Sequence, residues 1–455
     1  MNLVASLRDQ IATQGRAPLT DPQIALWIAE RRAPGAVCIS TSTMALSDPL
    51  RPEVITAALD DTLREHPMLR ASFAVSSPGE VQQAITDVDS VPWIDLSASG
   101  PTCATGVEAA ALAFAAPMNL STGQIMRAVG WRTLENGYRL TIETHHLAID
   151  QRSWAFVVWP TVARRYNARV TGRNEPEPAQ ISSFFEYVRQ RLLQRSEQHY
   201  QERCENFVRG TLLNCVTAPS ATRTIPSGNV VSDHGALGMR RSDFETACRS
   251  FGVFPSAVYA IAVGLVLACL EIEQVVMLRV SDRPLDHDAL VGMYANALPL
   301  DLTPEPGCTL GQHRTTASKR MVSLMRNRDL ALRDLEHMAR MIHGHRVALS
   351  RPLSVTYTPS DDVGPQFAGV TWSVHEEDPE RFVTGTDLRL FSEAGELMAK
   401  VSWQPGGRDS DVLGASFLRL IGPAMQLVLG PDGLPVAQLV DQLRQMADAA
   451  TGSVR

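Results

Sequence analysis

Lysine is almost missing from this 455-residue chain: Lys319 and Lys400 are the only two, and every other basic side chain is arginine. The 42 basic residues are scattered, are outnumbered by 49 acidic ones, and leave a net charge of −7. With no basic run and no positive surplus, the composition argues against nucleic acid or an anionic bilayer as partner. Long apolar runs are also scarce. The longest, Ala257 to Leu270, stops at Glu271, too short to span a bilayer, and the opening MNLVASLRDQ has no stretch of secretory character, so a cytosolic protein is expected. Seven cysteines (Cys38, Cys103, Cys204, Cys215, Cys248, Cys269 and Cys308) form no CxxC pair, so zinc or dithiol redox chemistry is not expected and most read as small buried hydrophobes. Phosphate-binding glycine loops, HExxH, GxSxG and internal repeats are absent as well.

What is there is a chain with 44% hydrophobic content, enough to build two or three substantial cores. Asp21-Pro22 reads as a helix start, with Ile24, Trp27 and Ile28 as its apolar stripe. A second helix is expected over 52–65, stopped by Pro67 and followed by a strand from Leu69 to Val75. Tyr138 to His146 alternates as a strand, which puts His146 on the face of Leu140 and Ile142 and His145 on the other. A helix over 153–168 follows, with a bend expected at Pro160. Thr171 to Gln180 has the composition of an exposed linker, and a long helix over 181–208 comes next. These features divide the chain into 1–178 and 179–455, two α/β lobes. In the second, Pro255 to Leu270 reads as an apolar helix, Gln274 to Val280 and Leu353 to Thr358 as strands, and Thr386 to Phe391 pairs with Glu396 to Trp403 across Ala394-Gly395.

The residues that suggest chemistry are His145-His146-Leu147-Ala148-Ile149-Asp150, two adjacent imidazoles with a carboxylate four places on. A neutral imidazole can take a proton from an attacking amine or alcohol and return it to a leaving group. Burial on the Ile142 face would favour that neutral form. Asp150 can serve as a base or can fix local geometry through an arginine or backbone amides. A purely structural reading competes: His145 as a loop histidine, His146 as a satisfied core histidine, Asp150 at a helix start.

This hexapeptide stands in a series that resembles the condensation domains of nonribosomal peptide synthetases, whose hallmark is HHxxxDG. PLTDPQIALWIAE (Pro18 to Glu30) is similar to the family's opening motif, LREHPMLRASF (Leu63 to Phe73) to its RHxxLR motif, and LTIETHHLAIDQRSW (Leu140 to Trp154) to its active-site motif. VGMYANALPL (Val291 to Leu300) resembles the GFFVNTLPL segment, and TDLRLFSEAGELMAKVSW (Thr386 to Trp403) the late hairpin. The resemblance implies an α/β fold of two chloramphenicol-acetyltransferase-like lobes in a V, with the active-site histidine at the centre of a tunnel. It implies His146 as the catalytic residue, His145 and Asp150 as supports, an acyl or peptidyl carrier protein delivering a thioester, a small-molecule or carrier-bound nucleophile, a monomer, and no metal or cofactor of its own.

The sequence departs from the motif at Gln151, where the family has glycine, which loses access to positive φ and puts an amide beside the site. At the register where the family's arginine usually meets the motif aspartate this chain has Asp282, with Arg283 beside it and Arg279 three residues earlier, and Arg283 is the favoured partner of Asp150. Asn296 and Tyr357 match regions that line the family's tunnel and are candidates for substrate contact, beside a structural reading as an amide at a loop bend and a Tyr in a strand. His343 and His345 read as solvent-facing, Trp154 and Trp159 as core, and Glu376, Glu377 and Asp378 as a charged loop. With no adenylation or carrier-protein motif, the chain reads as a free-standing condensation enzyme that forms an amide or ester. Two alternatives stay open: a silent relative that binds a carrier protein and recruits a tailoring enzyme, and an acyltransferase that uses coenzyme A.

Overall fold

Proline at the start of a helix loses no hydrogen bond, and Pro52 opens the helix Pro52–Glu65 in this way; Pro67 then ends the run in a single 3-10 turn, Pro67–Arg70, before the strand Ala71–Val75. The computed structural model describes residues 15–452 apart from 33, 35–37, 77–78, 99, 174–182, 213–229, 346, 359–366 and 376–384. Contacts divide the chain into two units, Met1–Tyr200 with Arg283–Ala295 and Asp362–Phe382, and Gln201–Asp282 with Asn296–Asp361 and Val383–Arg455. Two later segments thus belong with the N-terminal unit. The lobe boundary expected near 178, Cys215 and the acidic run Glu376 to Asp378 lie outside the described residues.

The first unit holds a five-stranded sheet in the order Trp372–His375, Ile39–Leu46, Tyr138–His145, Met126–Arg132, Trp93–Asp95, and a smaller three-stranded sheet, Arg16–Pro18, Val81–Ile85, Ala71–Val75. Tyr138–His145 is central: it runs antiparallel to Ile39–Leu46 on one side and to Met126–Arg132 on the other. Seven of its eight residues are buried, so both faces are covered. The expected helix over 153–168 begins as a turn, Gln151–Ser153, widens to a π-helix over Trp154–Val158, and becomes α-helical at Trp159–Thr171. Pro160 is the cause: it has no N–H for the carbonyl of Phe156, and the ladder shifts to the wider bond from Trp159 N to Trp154 O. The expected helix over 181–208 is two, Phe184–Arg195 and Gln198–Thr211, parted at Ser196 and Glu197.

The second unit carries a six-stranded sheet in the order Ala295–Asp301, Val275–Ser281, Leu353–Thr358, Thr386–Glu393, Glu396–Trp403, Val231–Arg240. Leu353–Thr358 runs parallel to both neighbours, and the hairpin that follows turns at Ala394 and Gly395, with φ of 49° and 80°, the left-handed pair a tight two-residue turn requires. The helix Pro255–Cys269 is buried along nearly its whole length and packs against Arg408–Val428 and Val436–Gly452. Arg408–Val428 is long and apolar enough by length and composition to cross a membrane, a length the raw apolar runs do not reveal; half of its most apolar window is buried inside the fold. The six described cysteines are buried thiols. Among the described residues no His, Cys, Asp and Glu cluster could hold a metal ion.

Candidate active site

The strand Tyr138–His145 hands the chain to a tight turn and then to the short helix at Gln151. His145 N donates to Ile125 O at 3.0 Å and His146 N to Cys38 O at 2.8 Å, which extends the sheet bonding one residue past the strand. Leu147, Ala148 and Ile149 are fully buried. Asp150 caps the helix, accepting from Ser153 N at 2.8 Å.

The two histidines are in the opposite situation from the one alternation predicts. His145 is buried and His146 only half-buried, because the strand is covered on both faces and the parity rule no longer sorts them. Leu147 N donates to His145 Nδ1 at 3.3 Å, so that nitrogen holds a lone pair and the proton is on Nε2, which stands 3.3 Å from Glu30 Oε2. The two side chains are in contact without the alignment of a hydrogen bond. Beside it, Cys38 is pushed up to about 12, first by burial and then by the Glu30 charge. His146 has the other tautomer. Its Nδ1 lies 2.7 Å from Ile149 O, a carbonyl that can only accept, so Nδ1 carries the proton and Nε2 of the neutral ring carries the lone pair.

Asp150 sits in a closed clasp. Arg283 Nη2 donates to Asp150 Oδ1 at 2.9 Å and to Ser153 Oγ at 2.6 Å, and Tyr294 N donates to Asp150 Oδ2 at 3.1 Å. The same guanidinium donates through Nη1 to the carbonyls of His287 and Leu290 and lies 4.1 Å over the Tyr294 ring. Both charged side chains are nearly sealed, at 2% and 4% exposure. Tyr294 packs on Phe184 and Tyr187, its hydroxyl is 3.0 Å from His287 Nδ1, and burial holds its own pKa up and that of His287 down. Gly292 has to be glycine: a Cβ there would collide with the Phe184 and Tyr294 rings. Every oxygen of Asp150 is thus engaged in holding segments together.

Gln151 lies in the helix with no positive φ and an exposed side chain, so the backbone at this position makes no demand for glycine. Trp154 and Trp159 are core residues whose indoles donate to Ser40 Oγ and Ser42 Oγ, each at 2.8 Å. Asn296 and Tyr357 belong to the second unit. Asn296 Nδ2 donates to Arg328 O at 2.8 Å and Leu330 O at 2.9 Å, which uses both amide protons to hold a loop. Tyr357 shares the strand face of Leu353 and Val355, the apolar side, whereas Ser354 on the other face donates to Asp387 Oδ1 at 2.6 Å. Its hydroxyl is held far above the ordinary phenol range by burial, with Glu245 nearby. His345 is exposed and His343 half-buried.

Three supports, Gln23, Gln83 and Glu30, went unread in the sequence. Thr20, not Asp21, caps the first helix, Asp21–Arg32: Gln23 Oε1 accepts from Thr20 N at 2.9 Å, a capping box that the spacing Thr-x-x-Gln could have signalled. Gln23 Nε2 then donates to Leu147 O at 2.7 Å and to Gln83 Oε1 at 3.0 Å, while Gln83 Nε2 donates back to Gln23 Oε1 at 3.2 Å and to Pro18 O at 2.9 Å. Both amides are fully buried. Glu30, behind His145, had no signal beyond its helical position.

A model of the family described as Condensation domain matches residues 13–349. The chain belongs to the condensation-domain family. Over 348 residues this condensation domain is 25% identical to the phosphinothricin tripeptide synthetase PhsC of Streptomyces viridochromogenes, covering 72% of this chain and 31% of that protein. The chain therefore spans less than a third of that relative's length. Its fold is similar to the first condensation domain of the calcium-dependent antibiotic synthetase, solved with a substrate analogue, with a TM-score of 0.75, 22% identity and coverage of 93% of this chain and 98% of the other. It is similar also to a variant starter condensation domain of rhizomide synthetase RzmA in complex with C8-CoA, with a TM-score of 0.70, 21% identity and coverage of 94% and 98%. The α/β condensation-domain fold is that expected from the motif series. Condensation domains of nonribosomal peptide and polyketide systems are in general amide-forming acyltransferases that act on carrier-bound substrates.

Proposed function

We propose that this condensation domain transfers an acyl group from a carrier-protein thioester to an amine or hydroxyl, with His146 as the reacting imidazole. The observation that carries the reading is the 2.7 Å bond from His146 Nδ1 to Ile149 O, which leaves the basic lone pair on Nε2. In this scheme Nε2 accepts the proton of the nucleophile as its nitrogen or oxygen bonds to the thioester carbon. When the tetrahedral intermediate collapses, the C–S bond breaks and the imidazolium returns the proton to the departing thiolate, so that an amide or ester and a free pantetheine thiol result. The remaining work is alignment of two long substrates and exclusion of water, which needs no metal or cofactor of the protein's own. His145 and Asp150 hold the turn and the helix start, and Arg283 holds Asp150. We read the chain as a cytosolic monomer with a carrier protein as partner.

A second donor, coenzyme A, is favoured by one observation, the C8-CoA bound by the RzmA relative. Recruitment without catalysis, suggested by Gln151, loses support because the helical backbone at 151 accommodates glutamine without strain. The test is intact-mass spectrometry of an acyl-loaded carrier protein incubated with amines and alcohols, beside the same acyl group on coenzyme A. Loss of the acyl mass with matching product in the native protein, and not in His146→Ala, is expected. Equal turnover by His146→Ala would sink the mechanism, and carrier binding without any unloading would transfer support to a scaffold.

A further inference from the structure

Leu147, the residue next to His146, is gripped at both of its polar atoms. Its N–H donates to His145 Nδ1 and its carbonyl accepts from Gln23 Nε2, 124 positions earlier in the chain. Two residues on, Ile149 O fixes the His146 ring. The Gln23 amide cannot be reversed, since Leu147 O requires a donor and Thr20 N an acceptor, and Gln83 fills the remaining valences from the opposite side. All of these groups lie in the first unit, and Gln23, Gln83, Leu147 and Ile149 are buried at 0–1% exposure.

We propose that Gln23 is a positioning residue for His146, acting through the 147–149 turn to fix which imidazole nitrogen carries the proton. The inference rests on His146 being the reacting group, and it adds how that group is set. Without the Gln23 donor, Leu147 O becomes a buried carbonyl with no amide to satisfy it, and the turn must shift to find one. Ile149 O moves with the turn. The ring then loses the carbonyl that favours the Nδ1–H form, and the Nε2–H form presents a proton where a lone pair is needed. Gln83 acts one step further back, by holding the Gln23 amide in its orientation.

The test reads the tautomer directly, by nitrogen-15 NMR of histidine-labelled protein with the His146 signals assigned by their loss in His146→Asn. In the native protein His146 shows a protonated Nδ1 and an unprotonated Nε2; the reverse overturns the proposal. In Gln23→Met, and in Gln23→Met/Gln83→Met, which removes both halves of the amide pair and leaves neither stranded, the His146 signals shift to a mixture of tautomers. In the carrier-unloading assay kcat falls about ten-fold or more, while KM stays within about two-fold. A cooperatively folded variant that keeps the native tautomer and the native kcat refutes the positioning role. Failure of the catalytic reading looks different: His146→Ala then retains turnover, whatever tautomer the Gln23 variants display.

Discussion

The two ends of the HHxxxD segment are built in contrasting ways. At Asp150 two buried charges are closed in by Ser153, Tyr294 and main-chain carbonyls, with several bonds to each. At His146 a half-buried ring is held at Nδ1 by one carbonyl of a turn, and that turn is held by an amide from far away in sequence. The aspartate end is over-determined and serves the fold. The histidine end is less enclosed, a half-buried ring whose Nδ1 is oriented by the turn that follows it.

Substitutions can separate these ends. The largest effect expected is on turnover: His146→Ala lowers acyl transfer by about a hundred- to ten-thousandfold, with an unfolding midpoint in urea close to native. Arg283→Ala reverses the pattern, since it strands a buried carboxylate; it costs about 3–5 kcal/mol of stability, read from urea unfolding, and a loss under about 1 kcal/mol would show the clasp to be no stronger than a surface pair. Acid probes a third place. Burial holds His66 and His313 neutral, each lowered to about 4, so their contribution is complete above the unfolded value of about 6.5 and is lost as pH falls toward 4. The urea midpoint should fall across that window, and His66→Asn/His313→Asn should flatten the slope. The smallest effect belongs to Gln151→Gly, at an exposed helical position: up to about 1 kcal/mol of stability and little change in turnover. A large gain in turnover there would show that the glutamine obstructs a substrate.

Local signals were legible wherever a segment's structure is set by its own residues. Pro52, Pro67 and the Ala394-Gly395 turn mark boundaries that the fold keeps within a residue or two, and the motif strand ends one residue before the alternation does. Family register fell on Asp282, and Arg283 beside it, favoured over Arg279, is the residue that meets Asp150. Sequence reasoning failed where a neighbour decides. Which histidine is buried depends on the strands at either side of Tyr138–His145, and alternation carries no information once both faces are covered. The partners of the Asn296 amide, carbonyls more than thirty residues on, likewise had no local signal. Gln23, Gln83 and Glu30 meet the motif only through folding, although Thr20 and Gln23 had the spacing of a helix cap.

The clasp also imposes an order on biosynthesis. Asp150 is translated long before Arg283, and the segment Arg283–Ala295 belongs to the unit begun by the first 200 residues. A nascent chain that has emerged only through Tyr200 therefore holds an interior carboxylate with no cation to meet it, and its first unit cannot close on the ribosome in strict sequence order. The second unit's opening stretch, Gln201–Asp282, has to be made before the first unit is finished. Ribosome-bound or truncated chains ending before residue 283 should consequently be protease-sensitive around Asp150, and resistance should arrive only once the downstream arginine has left the exit tunnel.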